Sequence, residues 1–143
     1  MNSEWRSTAK MINEKLIKEN IPIEFNIYEK RTDRYLKAAL KNNVFLAFAR
    51  AKDDLWIEIE IKPIQGSQDN ETYKLFVAHR NEIQEKFGNK LFWDEETRKL
   101  DRKDKDRNTC RIMFFLRNYN GSVIRIKEES TETMYKLIKA MGL

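Results

Sequence analysis

Residues 42–63 read NNVFLAFARAKDDLWIEIEIKP, and only one local structure satisfies them. Apolar side chains alternate on both sides of the polar turn AKDD, the period-2 pattern of two β-strands. Closing the turn sets Arg50 near Leu55, Phe48 near Ile57, Leu46 near Ile59 and Val44 near Ile61. A slip of one residue would turn every isoleucine to water, so this register is strongly specified. The other face then carries Trp56, Glu58, Glu60 and Lys62 against Phe45, Ala47 and Ala49.

Upstream, Trp5, Ala9, Ile12 and Leu16 form one apolar stripe at helical spacing, predicting a helix from about Ser3 to Glu19 that Asn20 and Pro22 stop. IEFNIYEKR is an extended link, and DRYLKAAL is a further strand. A second helix is expected from about Glu71 to Phe87, capped by Asp69 or Asn70 and ended by Gly88. KLFW is a short strand. TCRIMFFLRNYNGSVIRIK reads as a second hairpin. A three-residue loop at Tyr119-Asn120-Gly121 matches apolar with apolar, pairing Leu116 with Ile124 and Phe114 with Ile126. Ser130 is expected to cap a final helix with Met134, Leu137, Ile138 and Met141 on its buried side. The fold class is therefore α+β. A single antiparallel sheet of five to six strands, in two meander or hairpin groups, carries three helices in the order α-βββ-α-βββ-α. At 143 residues, the chain forms one domain, 1–143.

Composition narrows the function classes. Only four glycines and two prolines break the pattern, and none of the glycines forms a phosphate-binding loop. The single cysteine, Cys110, excludes an internal disulfide framework and reads as a small buried hydrophobe. With one cysteine and one histidine no zinc cluster is possible. His79 flanks an apolar helix stripe without a catalytic partner at sequence spacing and reads as structural. No apolar run approaches membrane-spanning length and no signal-peptide core is visible, so a cytoplasmic location and no membrane partner are expected. The net charge of +5 is compatible with nucleic acid. The densest charge run, Asp94 to Arg107, cancels internally and reads as a solvated connection.

Two constellations could carry chemistry. Glu60-Ile61-Lys62 is an acid-x-lysine on a strand, half the signature of the metal-dependent PD-(D/E)XK nucleases. Both side chains share a face, as they must to flank a metal-bound phosphate. Those enzymes need a further carboxylate, commonly on the preceding strand, and residues 42–50 contain no acid. The alternative is an alternating, solvated sheet face. No metal or cofactor is expected, Mg²⁺ entering only with the nuclease reading. The second constellation is basic: Lys30, Arg31, Arg34, Lys37 and Lys41 with Tyr35, a candidate for phosphate contact. Lys62, Trp56 and Arg50 would extend it, rings beside cations suiting single strands or flipped bases. The competing interpretation is a solvated face with snorkelling side chains. Trp5 and Trp93 read as core.

Three stretches, RTDRYLKAALKNNVFLAFARAKDDLWIEIEIKP, ETYKLFVAHRNEIQEKFGNKLFW and TCRI, resemble the uncharacterised bacterial and archaeal domain DUF4268. The matching positions are Tyr35, Ile57 to Ile61, Phe76, Ile83, Phe87, Gly88, Leu91, Trp93, Arg111 and Ile112, across about two-thirds of the chain. Gln84 stands where the family usually has an acid, and NYNGSVIRIK differs from the family's longer Trp-rich ending. The resemblance implies an accessory domain in a restriction or phage-defence setting and supplies no catalytic residues. The expectation is a non-catalytic module that binds nucleic acid or a protein partner. The alternatives are a nuclease using Glu60 and Lys62, and a protein-interaction domain that dimerises through the Trp56 face.

Overall fold

The computed structural model describes residues 3–27, 35–51, 54–63, 70–93, 109–116 and 127–143. Lys30, Arg31, Arg34, the mixed-charge run and the return strand of the second hairpin lie outside the described residues.

Helix α1 spans Ser3–Lys18 and buries Trp5, Ile12 and Leu16 completely. It stops where expected. Asn20 takes a left-handed φ of 59°, and the Ile21 N–H reaches back to the Leu16 carbonyl at 2.9 Å. The link that follows is held in place by a side chain. Asn13 accepts from the Phe25 N–H at 2.8 Å and donates to the Phe25 carbonyl at 3.0 Å, the pairing a neighbouring strand would provide. Phe25 is thereby fixed edge-on to Phe48, their ring centroids 5.3 Å apart. The link ends in a short strand that the sequence reading did not anticipate, β1 (Asn26–Ile27).

The remaining strands are β2 (Tyr35–Ala39), β3 (Val44–Ala51), β4 (Asp54–Ile61), β5 (Phe92–Trp93) and β6 (Cys110–Phe115). They form one antiparallel sheet in the order β1-β2-β3-β4-β6-β5. The hairpin register is as expected: Val44 opposes Ile61, Leu46 opposes Ile59, Phe48 opposes Ile57 and Arg50 opposes Leu55. β4 is central because β6 flanks its second side, setting Ile112 against Ile59 and Arg111 against Glu60. That junction joins the two strand groups.

Four α-helices are described rather than three. The expected second helix breaks at His79 into α2 (Glu71–Ala78) and α3 (Arg80–Phe87). At His79 the backbone leaves helical geometry (φ −108°, ψ 19°). Asn70 caps α2 by accepting from the Tyr73 N–H at 3.2 Å, and its amide donates to the Ile61 carbonyl at 2.7 Å. One side chain thus fastens α2 to the end of β4. Gly88 ends α3 with φ 92°, in the left-handed region. The last helix, α4 (Lys127–Met141), begins four residues earlier than a Ser130 cap would place it. Ser130 is therefore not its cap. It is buried inside the first turn, its hydroxyl donating to the Lys127 carbonyl at 3.1 Å.

The apolar face of β3, β4 and β6 carries the core, and α1, α4 and α3 supply its cover, with α4 contacting both of the others. The Lys127 ammonium donates to the Ser7 hydroxyl at 2.8 Å, and Lys15 lies 3.4 Å from Glu132, both across the α1–α4 seam.

Candidate nucleic-acid interface

The opposite face of the sheet is set by the same alternation. Its register brings together Tyr35 and Lys37 from β2, Phe45, Ala47 and Ala49 from β3, Trp56, Glu58 and Glu60 from β4, and Arg111, Met113 and Phe115 from β6. Phe92 of β5 opposes Met113 and joins them, whereas its neighbour Trp93 turns to the core.

A charged cluster occupies the middle. The Arg111 guanidinium spans two carboxylates, its Nε 3.5 Å from Glu58 and one Nη 3.6 Å from Glu60. Glu58 also accepts from the Trp56 indole N–H at 2.7 Å. Glu60 has Lys62 at 3.8 Å and Lys37 at 4.0 Å. Both carboxylates are buried, Glu58 at 3% exposure and Glu60 at 8%, which corrects the expectation of a solvated charged face. The cations are wetter, with Lys62 53% and Arg111 40% exposed at the side chain. Burial pushes the Glu58 carboxyl above the usual range; Arg111, the Trp56 hydrogen bond and Lys37 oppose that shift without cancelling it.

This geometry sorts the sequence candidates. Tyr35, Lys37, Trp56, Glu60 and Lys62 share the face. Arg50 does not: it opposes Leu55 on the core side, and its guanidinium lies 5.6 Å from the centroid of the Trp5 ring. Phe45 opposes Glu60, so the preceding strand offers no acid there. The second carboxylate near Glu60 is Glu58, on the same strand and already engaged by Arg111 and Trp56. His79 sits on the exposed kink between α2 and α3, not in the core, with Nδ1 3.6 Å from Glu82. Cys110 is buried at the start of β6, as expected. Among the described residues, no three His, Cys, Asp or Glu side chains group together as metal ligands would. No described helix is long and apolar enough to cross a membrane.

Sequence reasoning missed Arg111, Phe92 and Phe115 as members of this face. Their own alternation was legible in TCRIMFF and KLFW. What it could not supply was the pairing of β6 with β4, made across dozens of intervening residues.

Most of the matching motif positions, among them Ile59, Ile83, Phe87, Leu91, Trp93 and Ile112, lie on the core side, whereas Tyr35 and Arg111 lie on the outer face. Gln84 takes two donors on one oxygen, the Leu91 N–H at 2.8 Å and the Trp93 indole at 3.1 Å. Trp93 is further enclosed by Tyr73, centroids 6.3 Å apart, and by the Arg80 guanidinium at 4.8 Å. The model of a domain of unknown function, DUF4268, matches residues 5–142. The chain belongs to the DUF4268 family. The match runs well beyond the two-thirds carried by the three stretches and takes in both terminal helices. Comparison with curated proteins gave no match. Gln84, where the resemblance leads one to expect an acid, fits this geometry. The position has to accept two hydrogen bonds, which an amide oxygen does as well as a carboxylate.

Proposed function

We propose that this DUF4268 domain is a non-catalytic module that binds nucleic acid on the outer face of its sheet. The observation that carries the reading is the convergence of Lys37 on β2, Lys62 just past the end of β4 and Arg111 on β6 around one carboxylate. Three cations exceed the two acids among them. One of those acids, Glu58, is buried, and its ionised form is disfavoured there. The balance favours an anionic partner, and side chains presented by a rigid sheet suit phosphates held at fixed spacing. The restriction or phage-defence setting rests on the family resemblance alone.

The test is binding of a labelled oligonucleotide across a salt series. Affinity should fall steeply as salt rises from about 50 to about 200 mM, and Lys37→Ala or Lys62→Ala should each lower the log–log slope by roughly one. No binding at low salt, or binding indifferent to salt, rules the reading out.

A second reading has one observation in its favour: Lys62 lies 3.8 Å from Glu60 on the shared face, as a nuclease acid–lysine pair would. Against it, Arg111 already occupies the space between the two carboxylates that a cation would have to enter. Incubation with Mg²⁺ or Mn²⁺ and plasmid or single-stranded DNA separates the two readings. Cleavage that disappears in Glu60→Ala would establish the nuclease and displace the binding module.

A further inference from the structure

Along the outer face, the charged cluster gives way to a row of rings. Phe92, Phe115 and Trp56 lie side by side on β5, β6 and β4. Phe92 and Phe115 have centroids 5.5 Å apart at an interplanar angle of 88°, and Phe115 and Trp56 lie 5.7 Å apart at 44°. Phe92 is 46% and Phe115 37% exposed, while nearly every large apolar side chain on the core face is buried. In a perpendicular pair one ring gives its edge to the other's face, so the first keeps both of its faces clear of that neighbour.

The row and the cations are parts of one surface. Arg111 stands four residues before Phe115 on β6, on the order of 13 Å at the usual strand rise, with Lys62 farther along, just past the end of β4. One end of the face therefore offers flat apolar surfaces and the other offers positive charge. A duplex hides its bases in its own stack and presents only phosphates and groove edges, so it has no use for the rings. An unpaired strand uses both ends, because every base has a π-face.

Resting on the nucleic-acid reading above, we infer that the occupant is a single strand, with bases stacked on Phe92 and Phe115 and phosphates against Lys37, Lys62 and Arg111. Stacking of this kind tolerates any base, so the preference is for unpaired over paired strands rather than for a sequence.

Fluorescence anisotropy with fluorescein-labelled oligothymidylate, alone and annealed to oligoadenylate, tests this at low salt. The single strand should bind at least tenfold more tightly than the duplex. Phe92→Ala and Phe115→Ala should each weaken single-strand binding by roughly fivefold or more and leave duplex binding unchanged. Phe115→Trp, which keeps a ring, should retain the wild-type affinity. Equal affinity for the two forms, with both alanine variants silent, overturns the stacking inference while leaving the phosphate-binding reading in place. If neither form binds, both fall. If the alanine variants split a dimer in light scattering without changing oligonucleotide affinity, the rings join two copies of the chain, and the single strand is excluded.

Discussion

Glu58 shows how a residue's setting can reverse its sequence-level meaning. In the string IEIEIK it is one of two equivalent acids, yet it is nearly sealed from water while the cations around it, Lys37 and Arg111, keep contact with solvent. A carboxyl whose folded pKa is raised binds its proton more readily in the folded state than in the unfolded chain. Its contribution to stability is therefore most favourable below the unfolded value and diminishes as pH rises through the raised folded value. Glu58→Gln keeps an oxygen for the Trp56 indole and removes the charge. The variant should thus match or exceed wild-type thermal stability at pH 8, with the gain fading towards pH 4. A Gln variant that loses stability at pH 8 would mean that attraction to Arg111 outweighs burial. None of this was legible from residue types, because burial of Glu58 depends on β6 lying beside β4. The core assignments of Trp5, Trp93 and Cys110 were legible, since each sits at an apolar position of its own element.

Among the elements, what could be read was what is decided locally. The β3–β4 register followed from alternation on both sides of a short turn, and the ends of α1 and α3 followed from Asn20 and Gly88. Gly88 has φ 92° and open space where a Cβ would go, so a substitution there meets backbone strain without a clash. Gly88→Ala should cost about 1 kcal/mol, measurable as a lower urea midpoint with an unchanged slope. The break at His79 was hidden because the apolar spacing runs through it: Tyr73, Phe76, Ile83 and Phe87 fit one long helix as well as two short ones. The start of α4 was misplaced because serine is a strong cap in general, and nothing in the sequence marks Ser130 as a buried residue of the first turn.

Taken whole, the molecule is a two-layer sandwich in which the two faces of the sheet differ in character. Helices α1, α4 and α3 close one side of the sheet, and the other side presents rings and charge. The layering was legible, but the order of the strands was not, since β4–β6 pairing joins groups that sequence alone leaves separate. Leu137 and Ile138 of α4 are fully buried in the layer between the helices and the sheet. Leu137→Ala should cost about 2–5 kcal/mol. Tryptophan fluorescence and the far-UV helix signal should then shift to lower denaturant together, as one cooperative unit. Separate transitions would reveal two independent halves. The position of α4, wedged between the first helix and α3, also bears on biosynthesis. Residues 127–143 leave the ribosome after every strand described here, so the part of the sheet's oily side that α4 covers stays open until translation has passed them. Folding of this domain is in that sense a late event in its own synthesis, and the nascent chain has to be kept from its neighbours until then.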